Sequence, residues 1–65
     1  MTAPILLTTR EAAEYLAMPE GTLAGMRFEG RGPKYVKSGG YVRYRGEWLD
    51  EWLEQITVTP HRTPR

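Results

Sequence analysis

Six cations fall between Arg27 and Arg45 (Arg27, Arg31, Lys34, Lys37, Arg43 and Arg45) against a single acid, Glu29. Tyr35, Tyr41 and Tyr44 are interleaved with them. Bases and tyrosines at this density suit neutralisation of a phosphate backbone, the chemistry of a nucleic-acid surface. The next segment, Gly46 to Gln55, reverses the sign, with Glu47, Asp50, Glu51 and Glu54 and no base. The formal net charge of +1 therefore conceals two oppositely charged segments. That segregation suggests one positive face aimed at a polyanion. Arginine outnumbers lysine seven to two, which favours phosphate and guanine contacts. Codon bias in a GC-rich genome gives the same ratio.

The residues that would do other chemistry are missing. There is no cysteine, the one serine is Ser38 in a turn-like stretch, and the one histidine, His61, lies in a proline-rich tail. No nucleophile–base pair can be assembled from these, nor a ligand set of metal-binding type and spacing. The carboxylates fall on a solvated helix face, where nothing would raise their pKa. No enzymatic activity, cofactor or metal is expected. No apolar run approaches the roughly 20 residues of a membrane span, and Met1 to Leu7 does not form a signal peptide. The absence of cysteine fits an intracellular setting.

The elements that would carry the cations can be read in order. Thr8-Thr9-Arg10-Glu11 is an S/T-x-x-E capping box with Thr8 as N-cap, and Leu7 and Ala12 are placed for a hydrophobic staple. A first helix should run to about Ala17, with Ala12, Ala13 and Leu16 on its inner face and Pro19 beyond its end. A second should cover about Glu20 to Glu29, closed by Gly30. It turns Leu23 and Met26 inward and presents Gly21, Ala24, Gly25 and Phe28 outward, flanked by Thr22 and Glu29. Arg27 lies near the edge of the inner stripe, its stem placed to pack and its head to reach outward. Helix, short turn, helix is the skeleton of a helix-turn-helix.

Tyr35 to Arg45 reads as a two-stranded wing around Ser38-Gly39-Gly40. A three-residue loop pairs Val36 with Val42 and Lys37 with Tyr41, keeping Val36, Val42 and Tyr44 on one apolar face. Lys37, Tyr41 and Arg43 then line the outer face, with Lys34 and Arg45 at its base. A third helix opens at Gly46-Glu47, and Trp48, Leu49, Trp52 and Leu53 are expected to form the largest block of core. Ile56 to Thr59 is β-prone enough to pair as a short strand or to dock. Residues 1–59 thus form one domain, and Pro60 to Arg65 a basic disordered tail. The fold class is a small α+β winged helix-turn-helix.

Several pieces resemble the MerR-like excisionase domains. Leu6-Leu7-Thr8-Thr9-Arg10-Glu11-Ala12-Ala13-Glu14-Tyr15-Leu16 is similar to the family's opening L-T-x-x-E-A-A-x-x-L. Gly21-Thr22-Leu23, Gly30-Arg31-Gly32-Pro33, Val36-Lys37, Val42-Arg43-Tyr44 and Leu49-Asp50-Glu51-Trp52-Leu53 continue it, so the resemblance covers about Leu6 to Leu53. It implies that the second helix enters the major groove while the wing reaches the adjacent minor groove or its phosphates. It also implies protomers that load cooperatively on repeated attachment-site sequences, bend the DNA and help an integrase towards prophage excision, in the cytoplasm of a bacterial host. A short free-standing chain suits a phage excisionase, or recombination directionality factor. Thr22, Arg27, Lys37 and Arg43 match the family's DNA-contact places. Ala24, Gly25 and Met26 depart from it, standing where members often carry Arg, Tyr or Trp. Direct arginine-to-guanine readout is therefore weakly supported. Phosphate attraction, backbone approach over Gly21 and Gly25, and thymine-methyl contact from Ala24 or Phe28 remain, with DNA deformability or cooperativity supplying the rest.

The expected DNA surface comprises Glu20, Gly21, Thr22, Ala24, Gly25, Arg27 and Phe28 on the second helix. On the wing and its flanks it comprises Arg31, Lys34, Lys37, Ser38, Gly39, Gly40, Tyr41, Arg43 and Arg45. Several roles stay open. Phe28 suits thymine contact, protein contact or partial burial, and Tyr41 suits base stacking or packing on Lys37 or Arg43. Glu20 suits a cytosine contact or plain helix-dipole stabilisation. The acidic face of the third helix is either solubilising or meets a neighbour's basic wing or tail. Arg62 and Arg65 suit phosphates, a neighbouring protomer or no partner. Two other functions compete: a small prophage or island transcriptional regulator using the same domain, and a protein-interaction module whose wing binds an acidic partner.

Overall fold

The computed structural model describes residues 5–60, so the expectations for residues 1–4 and for His61 to Arg65, most of the tail, lie outside the described residues. Strand β1 (Leu6–Leu7) leads into α1 (Thr9–Tyr15), α2 (Glu20–Phe28), the hairpin β2 (Val36–Ser38) and β3 (Tyr41–Arg45), and finally α3 (Gly46–Ile56). The winged helix-turn-helix is as expected. The sheet gains a third strand, in the order β1-β3-β2 and antiparallel throughout. Leu6 pairs with Arg45 and Leu7 with Tyr44. A two-stranded ribbon is marginal in water, and β1 covers the edge of β3 that a simple hairpin would leave open.

Local chemistry sets the helix ends. At α1 the Thr8 side chain accepts from the Glu11 backbone N–H (3.1 Å), while Glu11 Oε1 accepts from the Thr8 N–H (2.9 Å), the reciprocal box read from sequence. This helix ends at Tyr15, two residues before the expected boundary. Met18 N–H closes on the Ala13 carbonyl and Ala17 N–H on that of Glu14, with Ala17 at φ 58°. This is a Schellman ending with alanine in the position glycine usually fills, so Ala17 carries the left-handed strain of the turn. Helix α2 closes in the same way: Arg31 N–H bonds Met26 O and Gly30 N–H bonds Arg27 O, with Gly30 at φ 80°. Gly32, at φ 95°, lies so near α2 that a Cβ there would sit 3.3 Å from Met26 Cβ.

The core is Ala12, Ala13, Leu23, Met26, Tyr44 and Leu49, with Leu7, Leu16, Met18, Val42 and Trp52 packed around it. The two alanines let α1 lie close to its neighbours, as their size suggested. Helix α3 contributes less than expected: Leu49 is fully buried, Trp52 half-buried, and Leu53 remains 37% exposed. Trp48 instead packs beneath the Arg45 guanidinium, 5.2 Å from its ring centroid. One helix face cannot bury four large side chains on a sheet of three short strands. Ile56 completes α3, and Thr57 to Pro60 form no strand, with Val58 84% exposed. No partner strand reaches them among the described residues.

The hairpin register corrects the sequence expectation. Val36 pairs with Arg43, Lys37 with Val42 and Ser38 with Tyr41, so the loop is Gly39-Gly40 alone. Gly39 has φ 59°, the positive first position of a primed two-residue turn, whose twist matches that of the adjoining strands. The one-residue slip exchanges the faces of β2. Val36 turns to the face away from α2, while Tyr35 and Lys37 line the side facing it, though Tyr35 stays as exposed as Val36 (40% against 42%). Tyr35 gains a ring contact with Tyr44, centroids 5.9 Å apart, which the smaller Val36 could not supply.

Candidate nucleic-acid interface

The hairpin and α2 enclose an open cleft of about 620 Å³. Ala24, Gly25, Arg27 and Phe28 form its helix wall, and Tyr35, Lys37 and Val42 its wing wall. Tyr35 and Val42 were not among the expected site residues. The alternation Tyr35, Lys37 was their signal, and it becomes legible once the loop is read as two residues.

The expected cations separate into three groups. Arg27 turns inward: its Nη1 donates to Tyr44 Oη (3.0 Å) and Thr9 Oγ1 (3.1 Å), and its guanidinium lies 5.7 Å from the Tyr35 ring centroid. It ties α2 to β3, the start of α1 and the base of the wing. This corrects the expectation of an outward-reaching head. The physical reason is Tyr44, a fully buried residue whose hydroxyl needs a partner.

Arg31, Lys34 and Arg45 form the second group, each beside a nearby acid. Arg31 Nε lies 2.7 Å from Glu29 Oε1, Lys34 Nζ 3.8 Å from Glu51 Oε1 and Arg45 Nη2 3.8 Å from Glu47 Oε2. The exposed pairs of Arg31 and Lys34 are worth about 0–1 kcal/mol, so an arriving phosphate can displace the carboxylate, whereas Arg45 is partly buried against Trp48. Lys37 and Arg43 are the third group. Neither has a carboxylate partner among the described residues. The register places them on opposite faces of the hairpin, Lys37 inside the cleft and Arg43 outside it. They do not share the single outer face that a three-residue loop would give. Arg43 Nη1 donates to its neighbour's carbonyl at Val42 (2.8 Å), and its guanidinium lies 5.4 Å from the Tyr41 ring centroid. Tyr41 thus packs on Arg43 while staying 68% exposed.

At the other end of α2, Glu20, Gly21 and Thr22 are exposed, and Pro19 supplies no side-chain cap. Ala24 and Gly25 are half-buried, and Phe28 stands out into solvent. Ser38, Gly39 and Gly40 form the exposed tip of the wing. A helix supported by a second helix, flanked by a cationic hairpin and bearing an unobstructed outer face, is the geometry of a domain that lays a helix in a groove of DNA. The sequence model of the helix-turn-helix domain family matches residues 6–57, nearly all of the described chain. The chain belongs to the helix-turn-helix domain family. That DNA-binding family includes excisionase-like proteins and is typically non-enzymatic. No curated protein matches the chain. Within the helix-turn-helix domain, α1 is the supporting helix, α2 takes the recognition position, and β2–β3 form the wing. Among the described residues, no helix is long and apolar enough to cross a membrane.

Proposed function

We propose that this protein is an architectural DNA-binding factor of the excisionase type. Helix α2 lies in the major groove and the wing spans to the adjacent phosphates or minor groove. Neighbouring protomers load on repeated attachment-site sequences, bend the DNA and bias a phage integrase towards excision. The observation that carries the reading is the convergence of α2 with a wing two of whose three cations, Lys37 and Arg43, have no carboxylate partner among the described residues. Exposed Asp50, Glu51 and Glu54 on α3 supply a surface of opposite charge for the wing of an adjoining protomer. Contacts from Glu20, Gly21, Thr22, Arg31, Lys34, Ser38, Gly39, Gly40, Tyr41 and Arg45 would frame that central set.

Single-site and repeated-site duplexes, followed by a recombination assay with the cognate integrase, test this reading. The expected isotherm is sigmoidal on repeats and hyperbolic on a single site, and excision depends on added protein. Independent loading that leaves recombination unchanged but alters promoter output would replace it with the regulator. Binding to an acidic protein without any affinity for DNA would replace it with the interaction module.

A further inference from the structure

Phe28 is 94% exposed, although it belongs to a helix whose other large apolar residues, Leu23 and Met26, are 0% and 7% exposed. It stands at the rim of the cleft between α2 and the wing, with Arg27 and Lys37 on the same lining. An apolar protein surface laid over this rim would have to desolvate Lys37, which has no carboxylate partner among the described residues, at a large cost. A nucleic acid brings phosphates to that cation and apolar groups to the ring. The major groove alone is wide enough to admit an α-helix, and its one apolar marker is the thymine 5-methyl group. Around Phe28, the helix wall of the cleft offers Ala24 and Gly25, which carry no side-chain hydrogen-bonding group to read a base edge.

We infer that Phe28 is a specificity-determining residue that reads thymine methyl groups in the major groove. The inference rests on the DNA-binding reading above and gives it a sequence preference. The wing cations set affinity through phosphates, which carry no sequence information, and Phe28 favours sites with thymine beneath the C-terminal end of α2. A wedge between minor-groove steps would not sense that methyl, because it lies in the other groove.

The test compares an alternating A·T duplex with its counterpart carrying deoxyuridine in place of thymidine. Charge and phosphate spacing are the same in both, and only the methyl is lost. The wild-type protein is expected to bind the uracil duplex about fourfold more weakly for each methyl contacted, the value of burying one such group. The slope of log K against log salt should not change. Phe28→Ala should bind the thymine duplex as weakly as the wild type binds the uracil one, and should not distinguish the two. Its thermal unfolding should match the wild type, since the ring buries almost nothing. Equal wild-type affinity for both duplexes, with steep salt dependence retained, would overturn the methyl reading and leave DNA binding standing. So would a Phe28→Ala variant that keeps its DNA affinity but loses self-association, because the ring would then serve a protein contact. Failure of both duplexes to bind at low salt would instead overturn the DNA-binding reading itself.

Discussion

Arg27 and Arg43 are the same residue type with different work. Arg27 holds Tyr44 Oη and Thr9 Oγ1 from one nitrogen, and Arg43 lies on the wing above Tyr41. Arg27→Met keeps much of the stem but leaves the buried Tyr44 hydroxyl without its partner. Hydrogen bonds to charged groups are worth about 1.5–3 kcal/mol, so the midpoint of thermal unfolding should fall by about 10 °C or more in a domain this small. The salt slope of DNA binding, measured below the melting range, should stay as in the wild type. Arg43→Ala should do the reverse: near-native stability, weaker binding to all sequences alike, and a salt slope flatter by about one phosphate contact. A flattened slope in Arg27→Met would return that residue to the DNA surface. The sequence placed Arg27 on the rim of the buried stripe but gave no sign of the direction its head takes. That direction is set by Tyr44, distant in sequence and fully buried.

Among the elements, α3 separates pattern from packing. The i, i+1, i+4, i+5 spacing of Trp48, Leu49, Trp52 and Leu53 marks one apolar face, yet Leu49 is 0% and Leu53 37% exposed. Leu49→Ala should cost about 2–5 kcal/mol, comparable to the whole stability of so short a chain. Leu53→Ala, the same chemical change one turn on, should cost about 1 kcal/mol or less by chemical denaturation. Equal losses would mean that α3 is seated more deeply than described. A second tie holds this helix to α1: Tyr15 Oη donates to Asp50 Oδ1 at 2.5 Å. The hydrogen bond, and then the charge of Asp50, hold the Tyr15 phenol above its usual pKa of 10.0. A group whose pKa rises on folding adds stability in full below its unfolded value and loses it as pH climbs through the folded value. The wild type should therefore lose stability relative to Tyr15→Phe only on the alkaline side of about pH 10, and a difference that stays constant through that range would contradict the tie. The capping box was legible because it is local, with partners three residues apart. The hairpin register was not. Two loop lengths were open to the same glycines, and the choice fell to Tyr35 meeting Tyr44 and Arg27, contacts that no local pattern encodes.

Over the whole molecule, the winged helix-turn-helix was legible in the order of its elements, and the third strand was not. Leu6-Leu7 is too short to show alternation, and it becomes a strand only because β3 has a free edge beside it. The clustering of cations is legible in sequence, but only the folded arrangement distinguishes a bridge inside the domain from carboxylate-paired side chains and from the two on the wing without such partners among the described residues. The proposed function requires that this surface meet phosphates. Fluorescence anisotropy with a random-sequence duplex of about 40 base pairs, titrated across salt concentrations, tests it most directly. Each phosphate neutralised on duplex DNA contributes about −0.9 to the slope of log K against log salt. Binding at low salt should follow a slope steeper than about −2, as Lys37, Arg43 and the exchangeable cations together require. Binding indifferent to salt, or none at the lowest salt, would contradict it.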